Sequence, residues 1–141
     1  MKKLITVLAF AGLTFFGSDA AQGQGFVVVV NASNPATSVA KTELSNIMMK
    51  KATKWSHGAD AAPVDNTSAV RDAFSQAVHG RGASAIQAHW QQQIFAGKDV
   101  PPPEKASDTA VLEFVRSTPG AVGYVSSGAA LGAGVKTIQV N

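Results

Sequence analysis

The sequence predicts a single α/β domain, a mixed sheet flanked by helices. Three observations carry that prediction. Phe26-Val27-Val28-Val29-Val30 is an unbroken β-branched and apolar run without alternation, which suits a strand covered on both faces. Segments of helical periodicity follow it and interleave with short strand-like runs, the pattern of a sheet with helical layers. The length of 141 residues is that of one domain rather than two.

The N-terminus is set apart from that domain. Met1-Lys2-Lys3 is basic, Leu4 to Phe16 is apolar or small, and Gly17-Ser18-Asp19-Ala20-Ala21 offers small residues, Ser18 and Ala20, for cleavage. Residues 1–20 therefore read as a secretory signal peptide, the apolar run being short for a membrane span. Residues 21–141 are expected as an exported domain, periplasmic or secreted, that does not span the membrane once the signal is removed. With no Cys in the chain, a lipid-modified N-terminus, disulfides, Cys-based zinc sites and thiol catalysis are all excluded. The net charge of +3 falls to +2 when Lys2 and Lys3 (two positive) and Asp19 (one negative) leave. That is too mild a charge for a nucleic-acid partner. A charged fraction of 15% against 45% hydrophobic residues also excludes a disordered tail.

After the valine run, Asn34-Pro35 marks a turn. Thr42 is placed to cap the next helix, Glu43 suits its first turn, and Leu44, Ile47 and Met48 form its apolar stripe. Lys50 and Lys51 fall at its last turn, where positive charge suits the helix dipole. Trp55-Ser56-His57-Gly58 reads as a loop, Ala61 to Val64 as a short strand, and Asp65-Asn66-Thr67-Ser68 as a polar loop. Ser68 is then the expected N-cap of a helix presenting Val70, Phe74, Ala77 and Val78, broken by Gly80-Arg81-Gly82. A longer helix, Ser84 to Phe95, carries Ile86, Trp90 and Ile94 on one stripe. Pro101-Pro102-Pro103 is an extended, stiff surface connection. Ser107 or Asp108 starts a helix bearing Val111, Phe114 and Val115, and Pro119-Gly120 stops it. Two strands, Ala121 to Ser126 and Val135 to Val140, close the chain.

No catalytic constellation is organised in this sequence, and the expectation is a non-enzyme without metal or cofactor. His57, His79 and His89 fit no zinc, nucleophile-elbow or phosphate-loop motif, and Asp60, Asp65 and Asp72 lack a spacing that assigns roles. The one oddity is Asp65-Asn66-Thr67-Ser68-Ala69-Val70-Arg71-Asp72. With Ser68 as N-cap, Arg71 sits in the first turn, where positive charge opposes the dipole. Free N–H groups, the Thr67 and Ser68 hydroxyls and a guanidinium are the parts of an oxyanion site. The plainer reading has Asp72 or Asp65 neutralise Arg71 while Ser68 only caps.

Several stretches together resemble the phosphate-binding proteins of ABC importers, in the type 2 periplasmic-binding-protein superfamily. They are Val27 to Asn31, Glu43-Leu44-Ser45-Asn46-Ile47, Lys51 to Trp55, and Pro63-Val64-Asp65. Ser68 with Arg71-Asp72-Ala73-Phe74 and Pro119-Gly120-Ala121-Val122-Gly123-Tyr124-Val125 complete them. The resemblance implies the fold of one lobe of such a receptor and a hydroxyl-rich loop presented to phosphate at a helix N-terminus. It places Ser68, Arg71, Thr67 and Asn66 as ligand-binding residues. Ala69 stands where the family has glycine, Val70 where it has threonine, Asn66 where an acidic residue often accepts the phosphate proton, and Thr67 where a glycine is usual. Lys50 replaces the glycine that ends the preceding helix.

The implied function is weak binding of phosphate or a similar oxyanion, with an ABC permease or another periplasmic protein as partner. The alternative is an interaction module that kept the fold and lost the ligand. It would dock through Lys50, Lys51, Lys54 and Trp55, or pair with a second copy as a homodimer that supplies the missing lobe. The rival reading of that patch makes the lysines a solvated helix end and Trp55 core.

Overall fold

The computed structural model describes residues 25–141; the signal-peptide expectation for residues 1–20 lies outside them. The valine run forms β1 (Phe26–Asn31), the central strand of a five-stranded sheet: with β2 (Ser38–Val39), β3 (Ala62–Pro63), β6 (Ala121–Ser126) and β7 (Val135–Val140), the order is β2-β7-β1-β6-β3. β1 runs antiparallel to both neighbours, with Val28 opposite Tyr124 on one side and Ile138 on the other. β3 lies parallel to β6, and β2 parallel to β7.

Both faces of β1 are covered, as its lack of alternation predicts. Phe26, Val28 and Val30 pack on one side with Leu44, Ile47 and Met48 of α1 (Lys41–Met48) and with Phe74. Val29 packs on the other side with Val111, Leu112 and Val115 of α4 (Asp108–Ser117). The result is a mixed sheet between helical layers, each fully buried valine contributing about 1.5–3 kcal/mol. Asn31 closes β1 by donating from Nδ2 to the Val115 and Arg116 carbonyls, 2.9 and 3.0 Å away, which satisfies the C-terminal end of α4.

The remaining helical segments sit on the α1 side. α2 (Arg71–Phe74) runs directly into a π-helical turn, Ser75–His79, which ends at Gly80 in the left-handed region (φ 68°). α3 (Ala83–Phe95) buries Ile86 and Trp90 against Met49, while Ile94, the third member of the predicted stripe, is 52% exposed.

Several expected boundaries shift for local reasons. Thr42 does not cap α1, whose N-cap is Ala40 without a side-chain bond; Glu43 instead accepts the Ser56 N–H at 2.8 Å. Lys50 and Lys51 lie beyond the end of α1, and Lys50 adopts φ 58°, the conformation for which glycine is the natural choice. Ser107 caps α4 as expected, accepting from the Ala110 N–H. The polar loop at Asp65 is in part a strand. β4 (Asp65–Asn66) pairs in parallel with β5 (Glu104–Lys105), to which the triple proline leads.

Gly120, in the turn between α4 and β6, packs tightly against the segment that enters β3. A Cβ there would stand 1.9 Å from the Asp60 carbonyl oxygen, and its own carbonyl accepts from the Trp55 indole N–H at 3.0 Å. Gly120→Ala is expected to cost about 3 kcal/mol through backbone overpacking. A denaturant unfolding curve reads this directly.

Candidate functional site

The site is built outward from Tyr124, a buried residue of β6. Its ring stacks on Phe74 with centroids 3.8 Å apart and meets the edge of Phe26. Its hydroxyl donates to Asp65 Oδ1 and lies 3.1 Å from the Asn66 carbonyl. Burial, helped by the Asp65 charge, pushes the phenol well above its ordinary range, so the hydroxyl is a fixed donor.

Asp65 is thereby held by three donors. Oδ1 also accepts from the Asn66 N–H at 3.0 Å, and Oδ2 accepts from Arg71 Nη2 at 2.7 Å. Arg71 and Asp65 side chains are only 15% and 17% exposed. Glu104 of β5 reaches the same nitrogen at 3.2 Å. Of the two neutralisation partners considered for Arg71, Asp65 is the one that serves. Asp72 turns away and accepts the Ala83 N–H at 3.0 Å, capping α3 from the neighbouring helix.

Asn66 is fully buried and saturated. Its Nδ2 donates to the Tyr124 carbonyl and to Asp108 Oδ1, both at 3.0 Å, and its Oδ1 accepts the Ser68 N–H at 3.0 Å. This is a frame for the loop, not a surface for a ligand. Ser68 does not take its expected capping role, since its hydroxyl accepts no backbone N–H among the described residues. With the Ser68 N–H turned back to Asn66 and its carbonyl accepting the Arg71 N–H at 3.1 Å, the helix begins at Arg71. Val70 then precedes it without a side-chain cap.

The consequence is a row of unused donors. Among the described residues, the N–H groups of Ala69 and Val70 and the hydroxyl of Ser68 make no hydrogen bond. Thr67 is exposed, its hydroxyl only 3.4 Å from the Lys105 carbonyl. Ser68, Thr67 and Arg71 are thus brought to one loop, with Asn66 beneath it.

Behind Arg71 lies a cavity of about 20 Å³, lined by Asp65, Arg71, Ser75, His79, Met48 and Trp90. It has room for one water molecule and none for a tetrahedral anion. Among the described residues no cluster of His, Asp and Glu is arranged to hold a metal ion. A larger, more open groove of about 450 Å³ at the far end of β1 is lined by Asn34, Trp55 and His57, and the Asn34 Nδ2 beside it is buried without a partner among the described residues.

The lysine patch is not a free surface around a tryptophan. Trp55 is 3% exposed and belongs to the core, Lys50 pairs with Asp99 at 2.9 Å, and Lys54 pairs with Asp60 at 2.7 Å. Sequence reasoning missed Glu104 and Asp108, whose parts in the site depend on long-range pairing. Tyr124 was visible only as a member of the Pro-Gly-Ala-Val-Gly-Tyr stretch.

The chain belongs to the family described as the PBP superfamily domain, which it matches over residues 19–139. Among solved structures it is similar to a candidate phosphate ABC transporter substrate-binding protein from Clostridium perfringens, solved with bound phosphate. That likeness has a TM-score of 0.64 at 20% identity and covers 82% of this chain and 44% of that one. An ABC-type phosphate transport receptor from Vibrio cholerae gives a TM-score of 0.61 at 22% identity, covering 82% and 46%. PstS from Borrelia burgdorferi gives 0.54 at 14% identity, covering 85% and 52%. At these identities the likeness is one of fold. The chain spans less than half the length of the first two structures, in keeping with the one-lobe reading of its sequence. No curated protein is similar enough to match. None of the described helices is long and apolar enough to cross a membrane.

His79 gives the site a pH dependence with a definite sign. Its Nδ1 lies 2.8 Å from Ser45 Oγ. Burial holds its pKa below the ordinary 6.5, with Arg81 and Lys51 acting in the same direction and Asp65 against them. As pH falls through 6.5, the unfolded chain takes up a proton that the folded chain refuses, so stability is lost on acidification. Unfolding curves across this range should show that slope, and His79→Gln should flatten it.

Proposed function

We propose that this chain is an exported phosphate-binding module that takes phosphate, or a closely related oxyanion, weakly at the loop Thr67–Val70. The observation that carries this reading is the set of unused donors, the Ala69 and Val70 N–H groups beside the free Ser68 hydroxyl, at the start of a helical segment. Ser68 and Thr67 supply hydroxyls, Arg71 supplies positive charge behind them, and Asn66 fixes the loop. The mechanism is hydrogen bonding and charge pairing, with no bond made or broken. Support also comes from the solved relatives, one of which holds phosphate and another of which is a phosphate transport receptor.

Weakness follows from the architecture. One open face leaves the anion partly hydrated, and Arg71 is already paired with Asp65. A dissociation constant on the order of 1 mM, about −4 kcal/mol, is the expected scale. Export rests on the signal pattern in residues 1–20. Hand-over to an ABC permease or another periplasmic protein is part of the same reading.

A second reading has its own observation. Phe95 is 93% exposed, with Ile94 at 52% and Val100 at 58%, an apolar patch at the end of α3 that suits docking, including to a second copy. Calorimetric titration of phosphate into the phosphate-free protein separates the two. Saturable heat, with affinity about tenfold lower in Ser68→Ala (the worth of a hydrogen bond to a charged group, about 1.4 kcal/mol), is the expected result. Absence of heat, together with self-association that Phe95→Ser abolishes, would replace the ligand reading with the docking one.

A further inference from the structure

Asp65 and Glu104 are register partners across the β4–β5 pair, so the fold sets two carboxylates side by side. Like charges in that arrangement repel unless a cation lies between them. Arg71 is that cation, and one of its nitrogens, Nη2, serves both. The two contacts are unequal. Asp65 is held at 2.7 Å, nearly buried, and is also fixed by Tyr124 and the Asn66 N–H. Glu104 stands at 3.2 Å, is 47% exposed, and has no other side-chain partner among the described residues. Arg71 with its two carboxylates carries a net charge of one negative, which opposes the approach of any anion to the neighbouring loop.

We propose that Glu104 is an internal counter-anion that competes with the ligand for Arg71 and must leave the guanidinium for an oxyanion to bind tightly. This rests on the reading of the Thr67–Val70 loop as the anion site and adds its regulation. Glu104 is suited to leave because β5 is two residues long and Glu104 is its solvent-facing member. The stretch before it is tethered separately, by Lys50 Nζ donating to Asp99 Oδ1 and the Val100 carbonyl, both at 2.9 Å. Movement of Glu104 therefore leaves the far end of the strap in place. Asp65 stays, orienting Arg71, while the departure of Glu104 frees Arg71 Nη2 from its second carboxylate contact.

The test is phosphate titration calorimetry on the whole protein and on Glu104→Gln, Glu104→Ala, Arg71→Ala and the Glu104→Gln/Arg71→Ala pair. Glu104→Gln and Glu104→Ala are each expected to bind phosphate about fivefold more tightly than the parent, with the gain lost in the Arg71→Ala background. Unfolding curves on the same variants check that each is folded, and Glu104's exposure makes both single changes mild ones. If the parent binds phosphate and the two Glu104 variants bind it equally or less well, the competition is refuted while the anion site stands. A gain that persists without Arg71 refutes it too. If neither the parent nor any Glu104 variant binds phosphate, the site reading itself fails and this inference falls with it.

Discussion

The buried junction of Tyr124, Asp65 and Asn66 is the constraint on which the rest of the site depends. A phenol, a carboxylate and a carboxamide taken out of water each need partners, and here they largely supply one another. Tyr124 is fixed by its stack on Phe74, so β6 positions β4, and β4 positions the loop that follows. Asn66 then decides the loop's shape by claiming the Ser68 N–H. Beyond it the Ser68 hydroxyl and the Ala69 and Val70 N–H groups are left uncommitted among the described residues. Removing the Asn66 carboxamide would take a donor from the Tyr124 carbonyl and leave the Ser68 N–H without its partner, and the donors would have no reason to stay aligned.

The same junction explains why the positive charge at the loop is subdued. Asp65 serves both the phenol and the guanidinium, so Arg71 is ordered at the cost of being neutralised. Glu104 adds a second carboxylate through strand pairing. An anion thus meets oriented N–H dipoles first and a compensated cation behind them. In a single open face this arrangement favours modest affinity and easy release over tight capture.

Much of the fold was legible in the sequence because its core signals are local. The valine run, the α4 stripe at Val111 and Val115, the Ser107 cap and the two closing strands all follow from periodicity and capping chemistry. The left-handed Lys50 was visible as a departure from an expected glycine. What failed to show were features made by distant pairing. β4 and β5 are two-residue strands 39 positions apart in register, and nothing local in Asp65-Asn66 or Glu104-Lys105 announces them. Ser68 has the residue type of a cap, but its hydroxyl accepts no N–H among the described residues; its own N–H goes to Asn66 Oδ1, and the helix starts at Arg71. The candidate residues were found, but their division of labour was not. Asn66 is a frame and Arg71 a compensated charge, while the backbone of Ala69 and Val70, whose side chains depart from the glycine and threonine of the resembled family, offers the free donors.

The most direct measurement is an amide-resolved NMR titration of the protein with phosphate. The largest shifts are expected on the N–H groups of Ala69 and Val70, with the Asn66 carboxamide signals nearly unmoved because its bonds are internal. Shifts centred elsewhere, such as at the groove beside Asn34 and His57, or loss of the Asn66 bonds on binding, would contradict that site.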